Sequence, residues 1–225
     1  MEAAQEGKMF GVLLGKASPE HSSHLSLSPP SFSRSSDQHL HVVLVACSGQ
    51  LEGVWEPRGW APSLLDHHQV SGASWRAQRD LHRLTYRVRE ARRAGSAGLI
   101  TTLKQERRER SRQHADELRD AVSLTPLIGD PIKLSALWPR AATGVGECCA
   151  PKLISWAAQL GVEPLGLAEC QFTPTHDDVR PPRAQLVTSK SVEGGSLSFY
   201  EPCEPRCQPL LPFLLRGERE VIDLK

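Results

Sequence analysis

The sequence is poor in aromatic residues, in net charge and in long apolar runs, and each shortage excludes a class of protein. Aromatic residues make up 5 % of the 225 residues, while 17 prolines and 17 glycines predict one modest core with long irregular excursions. A formal charge of +1 gives no overall attraction to nucleic acid or to a membrane. No stretch approaches the ~18 apolar residues of a membrane helix, and the apolar run at residues 9–14 is too short for a signal peptide. We therefore expect a cytoplasmic protein that does not enter a membrane.

Two apolar runs in the first part of the chain predict a β-hairpin. Residues 9–14 and 40–47 have the apolar and β-branched composition that is typical of buried strands. Residues 18–38, which lie between them, are dense in Ser, Pro and His and predict a mobile loop. Residues 48–68 favour an irregular segment that packs against the sheet. We interpret residues 1–71 as a β-hairpin and loop segment.

A projecting basic helical hairpin is predicted for residues 72–122. Apolar residues at helical spacing, such as Leu84 and Val88, mark two stretches that are separated by a glycine-containing turn at residues 94–98. Residues 76–112 hold 12 Lys and Arg but only four Asp and Glu. A nearly neutral chain therefore concentrates its positive charge in this one segment.

The last part, residues 123–225, is predicted to complete the core as an α/β segment. In order, we expect a helix at 148–160 that stops at Gly161, a strand at 165–172, a polar stretch at 173–193, a strand at 196–200 and a last helix that ends near residue 215. The predicted fold class is α+β, with a small sheet that the two helices of this segment cover.

The six cysteines suggest thiols or metal ligands, because a chain without an export signal does not build a disulfide framework. Cys148 and Cys149 stand at the start of one predicted helix, and Cys203 and Cys207 open another. Both helix starts should face the same end of the sheet, so we expect these cysteines to lie close together. Such thiolates suit tetrahedral zinc, for which water, a histidine or Cys149 would supply the fourth ligand. The alternatives are that they are buried free cysteines that act as small hydrophobic residues, or that they have a redox or catalytic role.

Six short stretches, in this order along the chain, resemble the amino-terminal region of large bacterial RluA-type pseudouridine synthases. The stretches are GKMFGVL (7–13), CSGQLEG (47–53), LKQER (103–107), GVGECCAPKL (144–153), PLGLAE (164–169) and FYEPCEPRC (199–207). The resemblance covers about residues 6–217. This chain departs from the family in its shorter helical hairpin, and in Cys170, Gln171 and Phe172, where relatives have an aromatic-rich run.

The resemblance implies a non-catalytic accessory region that helps an RNA pseudouridine synthase to bind or position rRNA or tRNA. Members of the family continue into a separate catalytic domain, whose signature is the aspartate of a His-Arg-Leu-Asp run. Here the only His-Arg-Leu run, which begins at His82, is followed by Thr85, so the catalytic aspartate is absent. The family also carries cysteines at the positions of Cys148, Cys203 and Cys207, which are therefore the expected zinc ligands.

The predicted order of hairpin, ligand helix, strand and Pro-Cys helix also resembles zinc-dependent nucleobase deaminases. The cysteine spacing differs, however, because Cys203 and Cys207 are separated by three residues rather than two. Ala150 or Pro151 stands where a deaminase needs its proton-transferring glutamate. The alternative function is thus a stand-alone, inactive, zinc-binding deaminase-like module, and a third possibility is a truncated remnant of the larger enzyme.

The basic helical hairpin leaves two interpretations open. Its charges could be a solvated surface stabilised by pairs four residues apart, such as Glu106 with Arg110. Alternatively, arginines along a helix neutralise phosphates of structured RNA without base-specific geometry. The residues predicted to bind RNA are Arg107, Arg108, Arg110 and Arg112.

Overall fold

The structure is a computed structural model that describes residues 8–17, 40–49, 51, 54–174, 185–220 and 222, with the backbone alone for residues 67–75 and 174. The predicted loop at 18–38 lies outside these residues. The elements in chain order are β1 (Met9–Ala17), β2 (Leu40–Cys47), α1 (His67–Arg93), α2 (Ala97–Ala121), β3 (Ser123–Leu124), β4 (Ile132–Lys133), α3 (Leu134–Leu137), α4 (Cys149–Gln159), β5 (Val162–Pro174), β6 (Leu186–Val192), β7 (Gly195–Tyr200) and α5 (Leu211–Arg216). The predicted α+β class is confirmed.

A five-stranded antiparallel sheet, in the order β2-β1-β5-β7-β6, organises the described part of the chain. Alternation in β1 places Leu13 and Ala17 in the core and leaves Val12 and Leu14 exposed on the opposite face. The predicted hairpin of β1 and β2 is therefore confirmed. Because β5 pairs with β1 on its other side, the first and last parts of the chain share this sheet.

Helix α4 covers one face of the sheet and is buried around most of its circumference. It packs against β1, β2 and β5, and α5 packs against its outer side. A helix that is apolar on all sides belongs between two layers, which explains the run from Leu153 to Ala157 without a charged residue. The predicted stop is confirmed, because Gly161 follows the helix with a φ of 64°, a conformation that glycine adopts without strain.

Gly11 allows α4 to approach the sheet closely. A Cβ atom at this position of β1 would lie 2.5 Å from the Cβ of Cys149 and 2.9 Å from a methyl carbon of Leu153. Only a glycine therefore fits between this strand and the first turn of the helix.

Helices α1 and α2 pack against each other through Leu84, Val88, Ala91 and Leu103, with Ile100 at the edge of the cluster. The predicted break between them is confirmed, since α1 ends at residue 93 and α2 begins at residue 97. Helix α1 begins earlier than expected, at residue 67. None of the described helices is both long enough and apolar enough to span a membrane.

Two expectations for the last part of the chain were wrong. Residues 186–192 form β6, although we expected a polar, proline-broken stretch, because six of the seven side chains are exposed on an edge strand and show no apolar alternation. The last helix packs on α4 and contacts the sheet less than predicted, because Leu210, Phe213 and Leu214 belong to a second core that includes Ile154 of α4.

Candidate metal centre

The three cysteines predicted to bind zinc lie together at one end of the sheet. Cys148 is the N-cap residue of α4, and Cys203 and Cys207 lie in the turn that follows β7. The sheet register explains this meeting, since Glu169 of β5 pairs with Gly11 on one side and with Tyr200, the last residue of β7, on the other. The segment that follows β7 therefore lies beside the residues of β1 and β5 on which the first turn of α4 packs.

The sulfur atoms of Cys148, Cys203 and Cys207 all lie within 4.8 Å of one another, and the Cys203 and Cys207 sulfurs are 3.3 Å apart. Four thiolates at 2.3 Å from a tetrahedral zinc ion would be about 3.8 Å apart. All three thiols are free, and no further His, Cys, Asp or Glu of the described residues joins the group. The distances and the soft donors therefore fit zinc, with three ligands from the described part of the chain.

The three thiols differ in acidity because they share hydrogen bonds. The pKa of Cys203 is lowered because the Cys148 and Cys207 thiols, followed by the backbone N–H groups of Cys207 and Arg206, stabilise its thiolate. The pKa of Cys148 is raised to about 12, mainly because it donates to Cys203, and the pKa of Cys207 is also raised, mainly because it hydrogen-bonds to Cys148 and Cys203.

Cys149 is not part of this cluster. It is fully buried, and its thiol donates to the Met9 carbonyl at 3.3 Å and lies 3.8 Å from the Ala46 carbonyl. Burial is also the main reason that the pKa of Cys149 is raised. Cys149 therefore faces the core, where it links α4 to β1 and β2, and it does not join the other three cysteines as a metal-ligand candidate.

Glu169 is a buried carboxylate beside the cluster. It is 5 % exposed, and its Oε1 accepts a hydrogen bond of 2.9 Å from the Ala150 backbone N–H. A carboxylate from β5 thus caps the first turn of α4, where the helix dipole favours negative charge. Burial nevertheless raises the pKa of Glu169 to about 7, and the charge of Cys203 contributes in the same direction.

A buried ion pair fixes the segment that leads into Cys148. Lys152 is 1 % exposed, and its Nζ lies 3.2 Å from Oε2 of Glu147 and donates to the Cys47 carbonyl at 3.2 Å. The other carboxylate oxygen of Glu147 accepts a 2.9 Å hydrogen bond from the Leu65 backbone N–H. Glu147, which directly precedes Cys148, is therefore linked to the segment before α1 through Leu65 and to the end of β2 through Lys152.

A cavity of about 430 Å³ opens beside the cluster. Cys148 and Arg206 line it on the side of the thiols, and Glu147 also reaches it. Most of the remaining wall is apolar and comes from α2, from α3 and from the segments that precede α1 and α4. The candidate metal centre therefore borders a space large enough for a small molecule.

The arginines predicted to bind RNA are not part of this site. Arg107, Arg108 and Arg112 are exposed along α2, as expected for the stretch without apolar residues. Arg110 is half-buried, and it pairs with Asp80 of α1 at 3.7 Å and donates to Gln113 at 2.7 Å. Arg110 makes these interactions rather than the pair with Glu106 that the solvated-surface interpretation suggested.

Sequence reasoning missed the three charged residues that surround the thiols, Glu147, Lys152 and Glu169. A signal for Lys152 was present, because a lysine inside a helix that is apolar on every side must be buried with a partner. Glu169 stood in a predicted strand, but period-two alternation does not tell which face a carboxylate occupies when both neighbours are apolar.

The fold and the site define an α+β protein with a candidate three-thiol metal centre at one end of an antiparallel sheet. Comparison with protein-family models, curated proteins and solved structures gave no match. The resemblance to RluA-type enzymes therefore stays a prediction that rests on the six sequence stretches.

Proposed function

We propose that this chain is the non-catalytic amino-terminal accessory region of an RluA-type RNA pseudouridine synthase and that it helps to position RNA. The observation that carries the proposal is the row of exposed arginines on α2, represented by Arg107, Arg108 and Arg112. They extend from the surface of a helix, where guanidinium groups reach successive phosphates of a folded RNA. The long-range field of the nearly neutral chain is weak, so the binding depends on this local concentration of charge.

The experiment measures binding of bulk transfer RNA as a function of salt concentration. Replacing Arg107, Arg108, Arg110 and Arg112 by Gln should weaken binding and reduce the slope of log K against log salt, by about 0.7–0.9 for each phosphate that the variant no longer neutralises. A control with the same change in net charge replaces the exposed cations Arg58, Lys190, Arg216 and Arg219 by Gln. An unchanged slope in the first variant, or an equal decrease in the control, would contradict the proposal.

We also propose that zinc occupies the three-thiol cluster, with Cys148, Cys203 and Cys207 as its ligands. When bound, zinc would supply a strong link between the start of α4 and the turn after β7. The affinity should fall as the pH decreases, because the thiols must lose their protons to bind the metal.

The zinc proposal is tested by measuring metal content and affinity in the purified full chain. One zinc ion per chain is expected, and Cys203→Ser should lower the affinity by at least tenfold. Cys170→Ser is the matched control, because Cys170 is half-buried on β5 and outside the cluster. A chain that holds no zinc at neutral pH, or equal affinity in the two variants, would contradict a zinc site here.

The second candidate function is a stand-alone, inactive zinc-binding module with a deaminase-like layout. Its support is the order of the β1–β2 hairpin, α4 with Cys148 at its start, and β5. The β6–β7 hairpin, however, separates β5 from the turn with Cys203 and Cys207, whereas the predicted deaminase layout has no such insertion. Stoichiometric zinc together with no RNA binding would favour this candidate over the accessory region.

A further inference from the structure

Two residues of the thiol region also line the cavity beside it. Cys148 lines the cavity, and so does Arg206, which lies in the turn between Cys203 and Cys207. The same few residues therefore belong both to the candidate metal centre and to a space of about 430 Å³. A volume in this range is typical of sites for small organic molecules.

The described part of the chain supplies three sulfur donors and no fourth ligand. Structural zinc sites are closed by four protein ligands, whereas zinc sites with three protein ligands keep one position for an exchangeable ligand. With the three sulfur ligands that the described residues supply, a centre next to a cavity matches the second arrangement.

Arg206 gives the cavity a positive charge. Its side chain is half-buried, and it forms no ion pair with any residue that the structure describes. Glu147, which also lines the cavity, is already paired with Lys152 at 3.2 Å, so it does not neutralise Arg206. A guanidinium keeps its charge at all relevant pH values and binds carboxylates through a planar fork of donors.

Most of the remaining wall is apolar. Arg119 also lines the cavity, but its guanidinium pairs with Asp116 and donates to the Ala141 carbonyl. Trp55, Leu118, Val122, Leu134 and Val145 all line the cavity. A ligand that matches both parts of the wall has a single anionic group at one end and an apolar body at the other.

We propose that this cavity binds a small organic carboxylate, with one carboxylate oxygen on the metal and the other on Arg206. The apolar body of the ligand packs against Trp55 and the aliphatic side chains. This inference rests on the zinc centre proposed above and adds its exchangeable ligand. No covalent bond of the ligand is made or broken, since the carboxylate replaces water at the metal.

The test uses the full chain loaded with Co²⁺, whose visible absorption reports the ligands of the metal. Benzoate is the probe, and benzyl alcohol is a neutral probe of similar size. Benzoate should change the cobalt spectrum saturably, and benzyl alcohol should not. Arg206→Gln should keep one cobalt per chain but bind benzoate at least tenfold more weakly, whereas the matched control Arg216→Gln should bind as the unchanged chain does.

The outcomes separate the two proposals. If no cobalt or zinc binds, the metal centre is refuted and the carboxylate site with it. If one metal binds but benzoate leaves the spectrum unchanged, the metal centre stands and the carboxylate site is refuted. If benzoate binds equally well with and without Arg206, the proposed carboxylate site is likewise overturned.

Discussion

The end of the sheet around α4 and the pair of helices α1 and α2 use charged residues in opposite ways. Around α4, Lys152 and Glu169 are buried and the side chain of Glu147 is 11 % exposed, and each of the three contacts a backbone group of a distant segment. In the helix pair most charges are exposed, and most of the ion pairs, such as Arg83 with Asp80, join residues three apart on one helix. One weaker pair, Arg110 with Asp80 at 3.7 Å, joins α2 to α1. Buried charges hold segments in fixed positions, while solvated charges remain free to meet a partner.

The comparison predicts a large difference in the energetic cost of substitutions. Removing one partner of a buried ion pair leaves an uncompensated charge and costs about 3–5 kcal/mol, whereas exposed pairs contribute about 0.2–1 kcal/mol. The region around α4 should therefore tolerate few changes, and the helix pair should tolerate many.

The largest effect is expected for Lys152→Met, which leaves Glu147 buried without its cation. The free energy of unfolding, measured by chemical denaturation, should fall by about 3–5 kcal/mol. Lys190→Met, at an exposed position of β6, should change it by less than about 0.5 kcal/mol. The double variant Glu147→Gln and Lys152→Met should recover part of this decrease. A decrease below about 1 kcal/mol for Lys152→Met would contradict the claim that the charges around α4 contribute more to stability than the exposed charges do.

The next effect concerns the pH dependence of the metal-free chain. Because burial raises the pKa of Glu169 from 4.5 to about 7, its protonated form stabilises the folded state. This contribution is complete below about pH 4.5 and is lost as the pH rises through about 7, by up to about 3 kcal/mol. Glu169→Gln keeps an oxygen for the Ala150 N–H and cannot ionise, so its stability should decline less over this interval. Parallel pH profiles in chelator would contradict the prediction.

Gly11→Ala tests how closely α4 approaches β1. The added methyl group would lie 2.5 Å from the Cβ of Cys149, so the helix must shift and stability should fall by about 1–3 kcal/mol. Gly166→Ala on β5 is the matched control, because nothing lies within 4 Å of a Cβ at that position. Thermal unfolding of both variants should separate them, and equal midpoints would count against close packing at Gly11.

The smallest effect is expected in the helix pair. Asp80→Ala removes the 3.7 Å ion pair with Arg110 and the ion pair with Arg83. These side chains are partly exposed to solvent, so stability should fall by about 0.2–1 kcal/mol. A double-mutant cycle with Arg110→Ala isolates the pair between the helices. A coupling energy above about 2 kcal/mol would show that the helix pair also depends on fixed charges.

The cluster of cysteines could be predicted because it follows from chain order. The expected meeting of Cys148 with Cys203 and Cys207 is observed. The last helix, however, begins only at Leu211, so Cys203 and Cys207 lie in the turn that precedes it rather than opening it as predicted. Three other features were predictable because each follows from the composition of short stretches of sequence. They are the β1–β2 hairpin, the break between α1 and α2 and the stop at Gly161.

The missed features depend on residues far apart in sequence. β6 forms because an edge position beside β7 accepts a polar strand, and the residues of β6 alone do not reveal that position. The burial of Lys152 depends on Glu147 and the Cys47 carbonyl, and the burial of Glu169 depends on the first turn of α4. Charged side chains are mostly exposed in proteins, so sequence patterns favour the wrong environment for both residues.

The arrangement of the thiols also has a consequence for the order of events during folding. Cys203 and Cys207 are four residues apart, so an unfolded chain can present both to a metal ion from one short turn. Cys148 lies 55 residues before Cys203, so bringing it to the other two thiols costs more loop-closure entropy until the pairing of β5, β6 and β7 holds the two segments together. Early capture of zinc would thus be weak and reversible, and tight capture would mark the completion of the sheet, so that metal retention reports whether a molecule has reached its native topology.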